Sequence, residues 1–186
     1  MMARSKIGDD LKGRIAEFIV EQMFIRSRRR IHRYGFEWRL SVLAQIKRNE
    51  RRDQDPILAK LGKTPDFVIE DLEGRLELLE VKYRQQGQFT TDDLPKLAVL
   101  AKTWSPTLVL VSYNPTPRFK VDRFRVVHAP YDQVSVTDRN PRDPQTIMQQ
   151  NWGIDPHVYE ECCELCELFG HFLKDESWFC RRGTSP

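Results

Sequence analysis

The stretch TPDFVIEDLEGRLELLEVKYR, residues 64–84, decides the fold. Within it, residues 66–70 predict a short strand and residues 75–83 a longer one, and the sequence DLEG between them predicts the turn of a β-hairpin. The longer strand carries Glu80 and Lys82 inside the apolar run LLEVKY. Because a buried charge costs several kcal/mol unless it is paired or binds a metal, these two residues indicate a functional site on the hairpin.

Segments on both sides of the hairpin predict further elements. Residues 7–24 and 90–104 have the apolar spacing of helices, residues 107–113 form a continuous apolar strand, and residues 156–173 predict a last helix. The predicted core face of the first helix comprises Leu11, Ile15, Ala16, Phe18, Ile19, Val20 and Met23. The order helix, strand, hairpin, helix, strand predicts an α/β fold with a central mixed sheet between layers of helices.

Other segments are less regular. Residues 34–43 predict a short strand that leads into a polar helical segment at about 41–61. Residues 124–130 and 134–138 predict short strands. The proline-bearing sequence at 140–145 predicts a break in the chain.

Composition places the chain among globular proteins. Its 186 residues fit one domain of ordinary size, and 40% hydrophobic with 31% charged residues excludes a disordered or membrane-embedded chain. The start of the sequence is too polar for a signal peptide, and no apolar run approaches about 18 residues. We therefore expect a cytoplasmic protein with no membrane partner.

The four cysteines lie close together late in the sequence. Cys163, Cys166, Cys180 and His171 offer enough donor atoms for a tetrahedral zinc site. Cys162 and Cys166, however, fall on the apolar stripe of the last predicted helix, where cysteine acts as a small hydrophobic residue. We therefore expect reduced thiols that pack in the core.

Positive charge is concentrated in the first third of the chain. Residues 1–63 carry a net charge of +8, and residues 64–186 carry −5. The densest basic cluster, RSRRRIHR at 26–33, predicts a surface for a polyanion, of which DNA is the leading candidate. A solvated helix end is the alternative interpretation. The candidate phosphate-binding residues are Arg28, Arg29, Arg30, Arg33 and, just after the hairpin, Arg84.

The hairpin also predicts where acidic groups converge. Alternation along the longer strand places Glu80 and Lys82 on one face of the sheet, and Asp66 on the shorter strand is expected beside Glu80. The two carboxylates and the carbonyl of Val81 are hard oxygen donors of the kind that Mg²⁺ prefers. The alternatives are a turn role for Asp66 and a solvent-facing ion pair between Glu80 and Lys82.

Pro65-Asp66 followed by Glu80-Val81-Lys82 resembles the PD-(D/E)xK motif of the restriction-endonuclease-like nuclease superfamily. Thirteen residues separate Asp66 from Glu80, which is within the usual range of that motif. Within the superfamily, the order of elements looks most like the Holliday-junction-resolvase-like and the restriction or transposon-type endonucleases.

The resemblance extends to the first helix and covers about residues 7–113. Many members of the superfamily carry a glutamate on this helix in a Gly-x-x-Ala-Glu-like setting, which the sequence from Gly13 to Glu17 matches. Glu21, one turn later on the same side, is the alternative to Glu17. Gly13 favours Glu17, because a glycine permits close approach of the backbone.

The resemblance implies a restriction-endonuclease-like α/β/α sandwich. Its core would span residues 1–140, with an insertion at about 35–62. A C-terminal helical extension at 141–186 would pack on that core. Relatives commonly form homodimers, so a homodimer is expected by analogy.

The resemblance also implies an activity, namely metal-dependent hydrolysis of DNA phosphodiester bonds by an endonuclease of repair, restriction or mobile-element processing. Asp66, Glu80 and the Val81 carbonyl would bind Mg²⁺ or Mn²⁺. Lys82 would act on the attacking water, and Glu17 would assist. Two alternatives keep the same fold: a catalytically inactive nucleic-acid-binding module, and an assembly subunit whose acidic last helix docks a partner.

Overall fold

The computed structural model describes residues 3–34, 64–84, 89, 93–113, 123–129, 131 and 143–174. The predictions for residues 35–62 and 134–138 lie outside these residues. The described helices are α1 (Ala3–Arg26), α2 (Leu94–Trp104), α3 (Pro144–Trp152) and α4 (Pro156–Lys174). The described strands are β1 (Ile31–Arg33), β2 (Phe67–Glu70), β3 (Leu76–Tyr83), β4 (Thr107–Val111) and β5 (Phe124–Val127).

These five strands form one mixed sheet in the order β1-β2-β3-β4-β5. β3 and β4 are parallel, and the other three neighbouring pairs are antiparallel. Parallel neighbours cannot be joined by a tight turn, and here the chain passes through α2 between β3 and β4. The predicted α/β class with a mixed sheet is confirmed.

The predicted hairpin consists of β2 and β3. Its turn is held by Asp71, whose Oδ1 accepts hydrogen bonds from the backbone N–H groups of Glu73 (2.9 Å) and Arg75 (2.8 Å). Gly74 has a φ of +80°, a left-handed conformation that glycine adopts without steric cost. The turn fixes the register of the two strands, and that register positions the candidate site.

Successive residues of the sheet pack against helices on opposite faces. On one face, Val109 and Val111 belong to a core cluster with buried residues of α1, α3 and α4. On the other face, Leu108 and Leu110 pack with Leu97 of α2. Helices therefore lie on both faces of the sheet, as the order of elements predicted.

The buried stripe of α1 differs from the predicted one. The fully buried residues of this helix are Ala16, Ile19, Val20, Met23 and Phe24. Phe18 is 46% exposed, so its predicted place in the core is wrong. With 3.6 residues per turn, Phe18 lies on the side of the helix opposite the stripe that faces the sheet.

Two elements begin where the sequence predicted none. β1 lies inside the basic cluster, where Arg28 takes a left-handed φ of +56° after the end of α1 and the chain then pairs with β2. α3 begins within residues 140–145, which predicted a break. The carboxylate of Asp143 caps its N-terminus, and Pro144 occupies the first helical position, where its missing N–H costs nothing.

The last described helix, α4, packs against α1 and passes close to Tyr113, just after β4. Cys162 and Cys166 are fully buried in the core, which confirms the packing predicted for them. At Gly170 the helix passes so close to Tyr113 that an added Cβ would lie 2.0 Å from the Tyr113 carbonyl oxygen. Since real Cβ atoms do not approach a backbone atom this closely, glycine is required at this position.

We predict that Gly170→Ala lowers the free energy of unfolding by about 1–3 kcal/mol, because the methyl group forces α4 away from the backbone of Tyr113. Gly13→Ala in α1 is the matched control, since its Cβ would meet nothing within 4 Å, and there alanine should stabilise by up to about 1 kcal/mol. Urea unfolding followed by circular dichroism measures both changes. Equal effects of the two substitutions would contradict the close contact.

Candidate active site

The hairpin brings Asp66 against β3. Antiparallel pairing of β2 with β3 reaches only to Phe67, opposite Leu79, so Val81 lies past the end of the ladder. Its backbone N–H donates instead to Oδ2 of Asp66, at 2.8 Å. Asp66 therefore caps the open edge of β3 next to the charged residues of that strand.

Glu80 and Lys82 follow on the same strand and form an ion pair between Oε1 and Nζ. The Glu80 side chain is only 9% exposed, whereas that of Lys82 is 35% exposed. The alternative of a solvent-facing ion pair is therefore wrong for Glu80. Its second oxygen, Oε2, is buried and accepts no hydrogen bond from any described residue. A buried carboxylate with one unpartnered oxygen is costly, and such groups concentrate at functional sites.

The electrostatics of this pair reflect crowding of negative charge. Burial, with repulsion from Asp66, raises the pKa of Glu80 to about 7. Burial also raises the pKa of Asp66, although the charge of Lys82 and the Val81 N–H oppose it. Burial disfavours the charged form of Lys82, but attraction to the Glu80 and Asp66 carboxylates outweighs it and the pKa of Lys82 is raised. Two carboxylates thus share one ammonium, and the site favours further positive charge.

Glu17 of α1 belongs to the same electrostatic group. Burial, together with repulsion from Asp66, raises the pKa of Glu17 to about 6, while the charges of Arg33 and Lys82 lower it. Glu21, the alternative on this helix, pairs with Arg33 through a forked contact. Glu17 is therefore within electrostatic range of Asp66 and Lys82, and both Glu17 and Glu21 lie beside Arg33.

The close backbone approach predicted at Gly13 is wrong. A Cβ on this residue would have no heavy atom within 4 Å, so the glycine does not serve a close approach of the backbone. The position of Glu17 depends on the packing of α1 against β3, with Val20 and Val81 in one core cluster.

The predicted phosphate-binding arginines are not equivalent. Arg29 donates to the carbonyl oxygen of Asp71 at 3.2 Å, and Arg30 forms an ion pair with Glu70 at 2.8 Å. The side chain of Arg28 is exposed and makes no hydrogen bond or ion pair with the part of the chain that the structure describes. Arg28 is thus the member of this cluster most available to a phosphate.

Arg84 lies just past β3 and is bound to α2. Its Nη2 and Nε donate to the two carboxylate oxygens of Asp93, at 2.6 and 3.2 Å. Its guanidinium carbon lies 5.4 Å from the ring centroid of Phe89. No pattern in the sequence predicts the Arg84–Asp93 pair, because partners on either side of a loop are not marked by any short-range spacing.

The carboxylates beside Lys82 are the candidate ligands for a divalent cation. Among the described residues, no three His, Cys, Asp or Glu side chains already converge as a complete metal-binding group. The chemistry of the donors nevertheless fits a hard cation, because Asp66 and Glu80 supply carboxylates and the Glu80 Oε2 is unpartnered. The Val81 carbonyl leaves the strand on the same side as its N–H, which faces Asp66.

Comparison of the chain with protein-family models, with curated proteins and with solved structures finds no match. None of the described helices is long and apolar enough to span a membrane.

We predict that stability falls between pH 4.5 and pH 7, because the raised pKa of Glu80 makes the folded state hold its proton more tightly than the unfolded state does. This contribution is full below pH 4.5 and is lost as the pH rises through about 7, for a total of up to about 3 kcal/mol. In Glu80→Gln the pH dependence of unfolding in urea should be correspondingly flatter.

Glu73→Gln, which alters an exposed carboxylate in the hairpin turn, is the control and should follow the wild-type pH profile. Parallel profiles for Glu80→Gln and the wild type would show that the Glu80 carboxylate is not perturbed in solution.

Proposed function

We propose that this protein is a metal-dependent DNA endonuclease of the PD-(D/E)xK superfamily, with a restriction-endonuclease-like fold. One observation carries the proposal: buried Glu80, with an unpartnered oxygen, lies next to Asp66 and is paired with Lys82. The element order around the motif supports it, since the first helix, the hairpin, α2 and β4 occur in the sequence order that the resemblance implies.

Each group would have a defined part in the reaction. Asp66, Glu80 and the Val81 carbonyl would hold Mg²⁺ or Mn²⁺. The ion would supply a water of lowered pKa and neutralise charge on the phosphate. Lys82 would orient the attacking water or stabilise developing charge, because its ammonium is the more exposed member of its ion pair.

Glu17 would assist from α1. With its pKa raised to about 6, this carboxyl group is poised to exchange a proton near neutral pH.

We predict that supercoiled, linear, single-stranded or branched DNA is cut with Mg²⁺ or Mn²⁺ and not with EDTA. Lys82→Ala should lower the cleavage rate by at least about 100-fold, because the attacking water loses its orienting group. Lys102→Ala, which removes an exposed lysine of α2, is the matched control and should cut at the wild-type rate.

Metal binding is measured separately by calorimetry with Mn²⁺. Asp66→Asn should weaken it, because a carboxylate ligand is replaced by an amide. No cleavage of any substrate, together with intact DNA binding and no metal binding, would refute the nuclease. It would favour the inactive nucleic-acid-binding module.

We also predict that Arg28→Gln weakens DNA binding and lowers the slope of log K against log salt by about 1, because one phosphate contact is lost. Arg30→Gln should have a smaller effect, since Arg30 already pairs with Glu70. Titrations by fluorescence anisotropy at several salt concentrations compare the two variants. Equal slopes for Arg28→Gln and the wild type would remove Arg28 from the DNA surface.

A further inference from the structure

Arg33 links α1 to the sheet beside the candidate active site. It is the last residue of β1 and pairs with Phe67, the neighbour of Asp66. Its guanidinium carbon lies 5.4 Å from the centroid of the Phe67 ring, so the group stacks on the residue that begins β2.

The guanidinium is held in a forked contact with Glu21. Nε donates to Oε1 at 2.9 Å, and Nη2 donates to Oε2. Two parallel contacts fix the orientation of the planar group, which a single contact cannot do. The hydrogen bonds to Glu21 and the charges of Glu21 and Glu17 outweigh burial and raise the pKa of Arg33, so it stays charged.

The remaining nitrogen points to the active-site acid. Nη1 lies 3.5 Å from Oε2 of Glu17, one helical turn before Glu21. Because Glu21 fixes the plane of the guanidinium, the place of Nη1, and hence the favoured place of the Glu17 carboxylate, is fixed as well. All three nitrogens of Arg33 therefore face acidic groups of α1.

We propose that Arg33 is a positioning residue that orients Glu17 for the reaction, and that it is not a DNA contact. This inference rests on the proposed function. It reassigns Arg33 from the phosphate-binding cluster, since its side chain is 23% exposed and its fork is occupied, whereas Arg28 is exposed.

Arg33→Lys is the first variant, because it keeps the positive charge and removes the fork. For a positioning residue, kcat should fall about 10- to 100-fold, while the DNA dissociation constant and its salt slope stay at the wild-type values. Arg75→Lys, which alters an exposed arginine paired with Asp71 in the hairpin turn, is the matched control and should leave kcat unchanged.

Glu21→Gln is the second variant, since it weakens the anchor without touching Arg33 or Glu17. It should also lower kcat, but by a smaller factor than Arg33→Lys does. Thermal unfolding of each variant verifies that the fold is retained.

A double-mutant cycle connects Arg33 to Glu17. In single-turnover assays with Mn²⁺, Arg33→Lys should have little further effect in a Glu17→Gln background, because the group that it positions is gone. Additive losses would overturn the inference, as would a weaker DNA affinity with an unchanged kcat. A wild-type protein that cuts no DNA would instead overturn the proposed function, and this role with it.

Discussion

The hydrogen bond from the Val81 N–H to the Asp66 carboxylate joins the start of β2 to the middle of β3. Without it, the Val81 N–H at the end of the β2–β3 ladder would need another acceptor. The same contact holds the Asp66 carboxylate next to Glu80. In this place burial disfavours the charged form of both carboxyl groups. The positive charges of Lys82 on β3 and Arg33 on β1 compensate part of that negative charge. Burial outweighs them, so the pKa of Asp66 stays raised.

Local patterns in the sequence were sufficient for the central part of the fold. The hairpin followed from its turn residues and from apolar strands on either side, and α2 and β4 followed from their spacing. Period-two alternation put Glu80 and Lys82 on the face opposite Val81, which lies in the core cluster with α1. The approach of Asp66 to β3 could be predicted because a hairpin relates its two strands by a short, known path.

Features that depend on distant partners could not be predicted in this way. β1 forms because Ile31–Arg33 pairs with β2, which lies far along the sequence. The three residues of β1 show no strand pattern of their own. Phe18 is apolar, as a core residue should be, but it lies on the exposed side of α1. Only the packing of α1 against the sheet defines which side of the helix is buried. The contacts of Arg33 and Arg84 are likewise tertiary, and their residue types also suit a phosphate surface.

The contact between α1 and α4 has a consequence for how the chain is made. Cys162 Sγ lies 3.9 Å from the carbonyl oxygen of Ile19, across a separation of 143 residues. During synthesis from the N-terminus, the apolar stripe of α1 therefore remains without this helical partner until α4 has left the ribosome. Apolar surface that stays exposed in this way makes an incomplete chain more prone to aggregation. The core around α1 can therefore include α4 only after residues 156–174 have been synthesised.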